Sequence, residues 1–240
     1  MVKKKSSASD SRKRTEEIER ITTGIPGLDK LLEGGFIAGD TVLVTGSTGT
    51  GKTIFCAQYI WEGLQKGEKC LFVTLEESSD DIMNDIARFG WDFKHYIDNG
   101  ELKMLSKDPL ELVNNIHEIV DIVRRNRIQR VAIDSTSVMG LYFKNPFEVR
   151  KQMFQIFKDL KESGATVLAT AEAPEEGKNL SRFGVEEFVV DGVIVLHYLE
   201  YAAAGTPRSL IIRKMRRTQH GADVYPIDIT KNGIILKRTM

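Results

Sequence analysis

The segment Gly46-Ser47-Thr48-Gly49-Thr50-Gly51-Lys52-Thr53 joins an apolar run, Thr41–Thr45, to a stretch whose apolar residues recur at helical spacing. Three glycines in six positions can continue neither a strand nor a helix, so a strand must end and a helix begin within these residues. The following stretch, Lys52–Gln65, places Ile54, Ala57, Tyr59, Ile60 and Leu64 on one face and is closed by Gly67, the pattern of an amphipathic helix with a glycine stop. The spacing G-x-x-x-x-G-K-T between strand and helix is that of a phosphate-binding loop. Glycines allow phosphate to approach the main chain, and the free N–H groups and helix N-terminus supply a concentrated positive field. Gly46, Ser47, Thr48, Gly49, Thr50, Gly51, Lys52 and Thr53 are therefore the candidate nucleotide-binding residues. Lys52 is placed to reach the β- and γ-phosphates, and the Thr53 hydroxyl to ligate Mg²⁺.

Downstream, short apolar strands alternate with amphipathic helices, which predicts a parallel sheet covered on both faces. Strands are expected at Leu71–Leu75, Leu102–Leu105, Val131–Ile133 and Thr166–Ala169, with helices near Ser79–Phe89, Pro109–Arg125 and Pro146–Ser163. After about Gly184 the pattern changes. Val189–Tyr198, Ser209–Met215 and Val224–Ile229 read as consecutive strands that extend the same sheet.

A chain of 240 residues with 41% hydrophobic and 28% charged residues can bury one large core. Thirty-four cations balance 34 anions, so net charge selects no polyanionic partner. Apolar runs such as Gly192–Leu196 fall far short of the roughly 20 residues that span a bilayer, so no membrane insertion is expected. Met1–Arg14 is polar and basic without an apolar core, unlike a secretory signal, and the expected location is the cytoplasm. Residues 1–18 read as a basic tail, either solvated or in contact with nucleic acid, and 19–240 as the folded domain. Cys56 and Cys70 lack metal-ligand spacing and read as core residues, and His95, His117 and His197 stand without a constellation.

Two acidic signals accompany the loop. Arg130-Val-Ala-Ile-Asp134 is an apolar strand ending in a carboxylate, the arrangement by which a Walker B aspartate reaches the magnesium shell. Asp134 would alternatively cap the Ser135-Thr136-Ser137 turn. Glu76-Glu77 follows the strand Leu71–Leu75 at the edge where open parallel sheets bind ligands. Because neighbours on a strand face opposite ways, one of the two is expected to hold or deprotonate an attacking water. The other reading is charge preceding a helix N-terminus. Further on, Arg213-Lys214-Met215-Arg216-Arg217-Thr218-Gln219-His220 alternates cations along a strand, and by pattern alone also fits a solvated edge.

Taken together these segments resemble the KaiC-like branch of the RecA/RadA superfamily over Ile21–Leu236. The resemblance is carried by Thr22-Thr23-Gly24-Ile25-Pro26-Gly27-Leu28-Asp29 with Gly34-Gly35, by Thr74-Leu75-Glu76-Glu77, by Phe89-Gly90-Trp91-Asp92, by Gly184-Val185-Glu186-Glu187-Phe188 and by Lys214-Met215-Arg216-Arg217-Thr218-x-His220. It implies an α/β fold with a RecA-like P-loop core, a mostly parallel twisted sheet with helices on both faces and a β-rich C-terminal extension. It also implies a homo-oligomeric ring, usually hexameric, with ATP and Mg²⁺ between neighbours. Glu77 would then be the principal catalytic carboxylate, Glu76 its partner in positioning water, and Lys214, Arg216 and His220 would reach the nucleotide of the adjacent subunit.

The chain has room for one such domain, where clock-type relatives carry two, so a timekeeping role is not expected. Glu187-Phe188 stands where the self-phosphorylating relatives have Ser-Thr, and Glu172 where RecA and RadA have a phosphate-sensing Gln. The expected activity is a slow Mg-dependent ATPase acting on an unidentified partner. A second expectation is ATP-gated binding of single-stranded DNA through the basic tail and Arg124-Arg125-x-Arg127. A third is a nucleotide-binding scaffold for a motor assembly.

Overall fold

A computed structural model describes residues 18–143, 145–174, 179–198 and 207–237. Most of the expected basic tail lies outside the described residues.

A small antiparallel pair, β1 (Arg20–Ile21) and β2 (Phe36–Ile37), brackets the single turn α1 (Leu28–Leu31). The core then runs β3 (Thr41–Gly46), α2 (Lys52–Gln65), β4 (Cys70–Thr74), α3 (Ser79–Ala87), α4 (Phe93–Asp98), β5 (Leu102–Ser106), α5 (Pro109–Asn114), α6 (Ile116–Asn126), β6 (Arg130–Asp134), α7 (Pro146–Glu162) and β7 (Thr166–Glu172). β8 (Gly192–Tyr198), β9 (Arg208–Met215), β10 (Tyr225–Thr230) and β11 (Gly233–Leu236) complete the sheet. Its nine strands lie in the order β11-β10-β9-β8-β3-β7-β6-β4-β5. The stretch from β8 to β5 is parallel, and β9 to β11 add an antiparallel margin.

The pleat sorts the apolar residues to two faces. Val42 and Val44 join a cluster with Phe55, Ile60, Ile82 and Phe93, which α2, α3 and α4 cover. Leu43, Val73 and Ile133 face the other way, onto Val120, Val123, Met153 and Leu160 of α6 and α7. Such two-sided cover is what the near-continuous apolar strands require.

Three local differences from the sequence reading have physical causes. The single helix expected over Pro109–Arg125 divides at Asn115, whose φ of −117° leaves the helical region; asparagine competes for backbone hydrogen bonds and favours such ends. α4 is too short to show a period, and it starts because the Asp92 carboxylate accepts the His95 amide at 3.1 Å. β11 is held by buried Gln58 of α2, which accepts from the Ile234 amide at 2.7 Å and donates to the Ile234 carbonyl at 3.0 Å. Both cysteines are free and buried, as expected.

Candidate nucleotide site

The parallel register brings four strand ends to one edge. Gly46 of β3 is level with Glu172 of β7, and Thr74 of β4 with Asp134 of β6. The loop leaving Gly46 follows from close packing. A Cβ on Gly46 would stand 2.4 Å from the Leu196 carbonyl oxygen of β8. Gly49 and Gly51 have φ of 77° and 102°, conformations that strain residues with a side chain. Gly51 is the N-cap of α2 and has no side chain to occupy the helix's first amides, so these point freely toward the loop.

Lys52, Thr53, Glu76, Glu77, Asp134 and Glu172 line one cleft of about 400 Å³ at this edge. Lys52 folds over the loop and donates to the carbonyls of Gly46 and Ser47, both at 3.0 Å. Burial lowers the pKa of its ammonium, while Glu172, Asp134 and Glu76 act against that shift. Asp134 is 8% exposed and accepts from the buried Thr170 hydroxyl of β7. Ser135 donates to Glu76 Oε1 at 2.5 Å.

β4 ends at Thr74, so the alternation of a strand does not extend to Glu76 and Glu77. The Thr74 hydroxyl donates to the Glu77 carbonyl at 2.8 Å and accepts from the Glu77 amide at 3.2 Å. This tight turn leaves both carboxylates on the cleft. Burial raises the pKa of Glu77, and the negative charges of Asp134, Asp85, Glu76 and Asp81 raise it further. Such a carboxylate is a stronger base than an exposed one.

Two cleft residues gave no signal in the sequence. Arg208, at the start of β9, donates to the Gly49 carbonyl at 3.2 Å and stacks over Tyr198 at 5.2 Å from the ring centroid. Arg88, after α3, lines the same cleft, as does Asp85. Arg208 and Gly49 are 159 positions apart, beyond the reach of any local pattern.

Lys214, Arg216 and His220 are not among the residues of this cleft. In the antiparallel pairing of β8 with β9, Lys214 is level with Val193 and Met215 with Gly192, whereas the loop begins at Gly46, level with Leu196. Lys214 therefore sits toward the edge where β3 begins, about 10 Å from the level of Gly46 at ~3.3 Å per residue, and Arg216 lies further along in the same direction. Lys214 donates to the carbonyls of Glu187 and Val190 at 3.0 and 2.6 Å. Arg216 reaches Asp191 at 3.4 Å, and His220 Nδ1 lies 3.0 Å from the Gly221 carbonyl. Of the Arg124–Arg127 cluster, Arg125 pairs with Asp121 on its own helix at 3.3 Å.

A mostly parallel α/β sheet with a glycine-rich loop feeding a helix, and carboxylates on the next strand ends, defines the RecA-like class of P-loop folds. The sequence model of the KaiC ATPase family matches residues 21–239, and the chain belongs to that family. It is 38% identical over 234 residues to a UPF0273 protein of Methanopyrus kandleri, covering 90% of this chain and 91% of that protein. It is 34% identical to the circadian clock protein KaiC3 of Synechocystis over 92% of this chain but only 46% of that protein. The chain thus spans about half the length of the clock proteins it matches. The crystal structure of a KaiC-like protein from Pyrococcus horikoshii superposes with a TM-score of 0.83 at 40% identity, covering 92% of this chain and all of that one. Among the described residues no helix is long and apolar enough to cross a membrane.

Proposed function

We propose that this chain binds Mg-ATP in the β3–α2 cleft and hydrolyses it. The observation that carries the reading is the convergence of Lys52, Glu76, Glu77 and Asp134 on one cleft at the mouth of the loop. The main-chain amides from Gly46 to Thr53 and the Lys52 ammonium grip the phosphates. The Thr53 hydroxyl and the Asp134 carboxylate are hard oxygen donors of the kind magnesium takes beside phosphate oxygens. Bound there, the metal would neutralise charge on the transferring phosphoryl group. Thr170 fixes Asp134 by its hydroxyl, leaving the carboxylate held in one orientation. Glu77, with its raised pKa, holds and deprotonates the attacking water. Glu76, anchored by Ser135, orients that water.

The assembly is a homo-oligomeric ring. Lys214 and Arg216 lie at the sheet edge away from the cleft of their own chain, and His220 does not line that cleft; in this reading all three serve the nucleotide of a neighbouring copy. Trans-acting cations of this kind are worth ~10³ to 10⁵ in rate.

Phosphate release by wild type, Lys52→Ala and Glu77→Gln tests hydrolysis, and equal background in all three removes the claim. Solution mass with and without ATP tests the ring, and a monomer under both conditions removes the trans assignment.

A further inference from the structure

At the edge of the sheet opposite the cleft, Asp40 and Asp191 directly precede β3 and β8. Their side chains are 4% and 11% exposed. Three cations converge on them. Lys161 of α7 bridges Asp40 Oδ1 at 3.1 Å and Asp191 Oδ2 at 2.7 Å, and Arg217 reaches Asp40 Oδ1 at 2.6 Å. Arg216 Nη1 lies 3.4 Å from Asp191 Oδ1, the longest contact of the set. The Asp191 carboxylate also accepts the Thr41 amide at 3.1 Å, and its backbone bonds to Thr41 and to Arg216 at 2.8 and 3.0 Å. It is therefore rigid, fixed between the first residue of β3 and the residue after β9.

The local charges do not cancel. Lys161 and Arg217 neutralise the two carboxylates, and the surplus positive charge belongs to Arg216. A second carboxylate on Arg216 would hold it firmly in its own chain, and none would leave a long side chain to sample many rotamers. A single contact to Oδ1 of a carboxylate whose Oδ2 is taken by Lys161 and the Thr41 amide orients the guanidinium while leaving donors free for another anion.

We propose that Asp191 is a positioning residue that aims Arg216 at the nucleotide of the neighbouring subunit, with Lys161 weakening its hold so that Arg216 can engage phosphate. This inference rests on the trans assignment made above. The contact with Asp191 biases the long side chain of Arg216 toward one direction before the neighbour arrives, which lowers the ordering cost of the reacting assembly.

The test compares the full-length chain with Asp191→Asn, Arg216→Ala and Lys52→Ala, alone and in mixed rings. Asparagine keeps an oxygen for the Thr41 amide and removes the charge that holds Arg216. Asp191→Asn should lower kcat by about 10- to 100-fold, the scale of a misplaced group, with the Kd for ATP and the solution mass unchanged. Mixing Asp191→Asn with Lys52→Ala subunits should recover activity beyond the sum of the two, because the Lys52→Ala subunit presents an intact Asp191–Arg216 pair to its neighbour's cleft. No recovery would mean that Asp191 acts only within its own chain and overturns the proposal. Full activity in Arg216→Ala would instead overturn the trans assignment itself. An impaired Arg216→Ala beside an unimpaired Asp191→Asn would overturn only the role of Asp191. Should Asp191→Asn fail to fold, Lys161→Gln at a half-exposed side chain carries the same test. It should lower kcat without changing Kd and be rescued in the same mixture, and unchanged kcat overturns the proposal.

Discussion

Ser135 and Glu76 are 59 positions apart, yet the serine hydroxyl donates to the glutamate's Oε1 at 2.5 Å. The bond ties the end of β6 to the end of β4 and distinguishes the two adjacent glutamates. Glu76 is anchored by this bond, and the pKa of Glu77 is raised by burial and by its acidic neighbours.

Glu77→Gln should lower the rate of phosphate release by about 10² to 10⁴, the range of a general base, while ATP still binds. Glu76→Gln and Ser135→Ala should cost less, because each disturbs the orientation of water and leaves the base in place. A single-turnover assay beside a nucleotide-binding titration separates the cases. A larger loss in Glu76→Gln than in Glu77→Gln would reverse the assignment.

The raised pKa of Glu77 carries a sign. The base must be deprotonated, so activity is absent at low pH and rises as pH passes through the pKa of Glu77, above the usual carboxylate range. Asp85 is one of the charges that raise it. Asp85→Asn should therefore move the acid limb of the kcat profile to lower pH, and a shift to higher pH would contradict this electrostatic account.

Gly46→Ala would place a Cβ 2.4 Å from the Leu196 carbonyl and 2.9 Å from the Thr50 hydroxyl. Backbone cannot yield cheaply there, so the loop should lose its shape and nucleotide affinity should fall by at least tenfold, about 1.4 kcal/mol. Far-UV circular dichroism should remain near wild type, since the fault is local. Calorimetric titration with Mg-ATP measures the loss, and undiminished affinity would show that the loop tolerates the side chain.

Arg130 is fully buried and satisfied. It pairs with Glu68, donates to the carbonyls of Thr22 at 2.7 Å and Tyr59 at 3.1 Å, and lies 4.8 Å from the Tyr59 ring centroid. Arg130→Leu leaves Glu68 and two carbonyls without their donor and should destabilise the fold by about 3 to 5 kcal/mol. Urea unfolding measures it, and a change below about 1 kcal/mol would place the site among dispensable ion pairs.

Much of this protein can be read from local spacing. The eight residues from Gly46 to Thr53 specify a strand, a turn and a helix because glycine, lysine and threonine at those intervals serve one geometry. The helix Lys52–Gln65 falls where the apolar period places it. The apolar runs around Leu71, Val131 and Val167 are strands for the same reason. The resemblance to a family also rests on residues close together in the chain, and the fold class and family it implied are those found.

What local spacing does not contain is register, and register decided the rest. Level pairing of Gly46 with Glu172 and of Thr74 with Asp134 sets the loop beside its carboxylates. The early end of β4 left Glu76 and Glu77 outside the alternation of a strand, both on the cleft. Antiparallel pairing of β9 carried Lys214 and Arg216 to the far edge and brought Arg208 to Gly49. Gln58 captured β11, and Lys161 met Asp40 and Asp191, across separations of 176, 121 and 30 positions. A sequence pattern records which face a residue prefers, whereas contacts over such distances exist only once the sheet has closed and two cores have been buried against it.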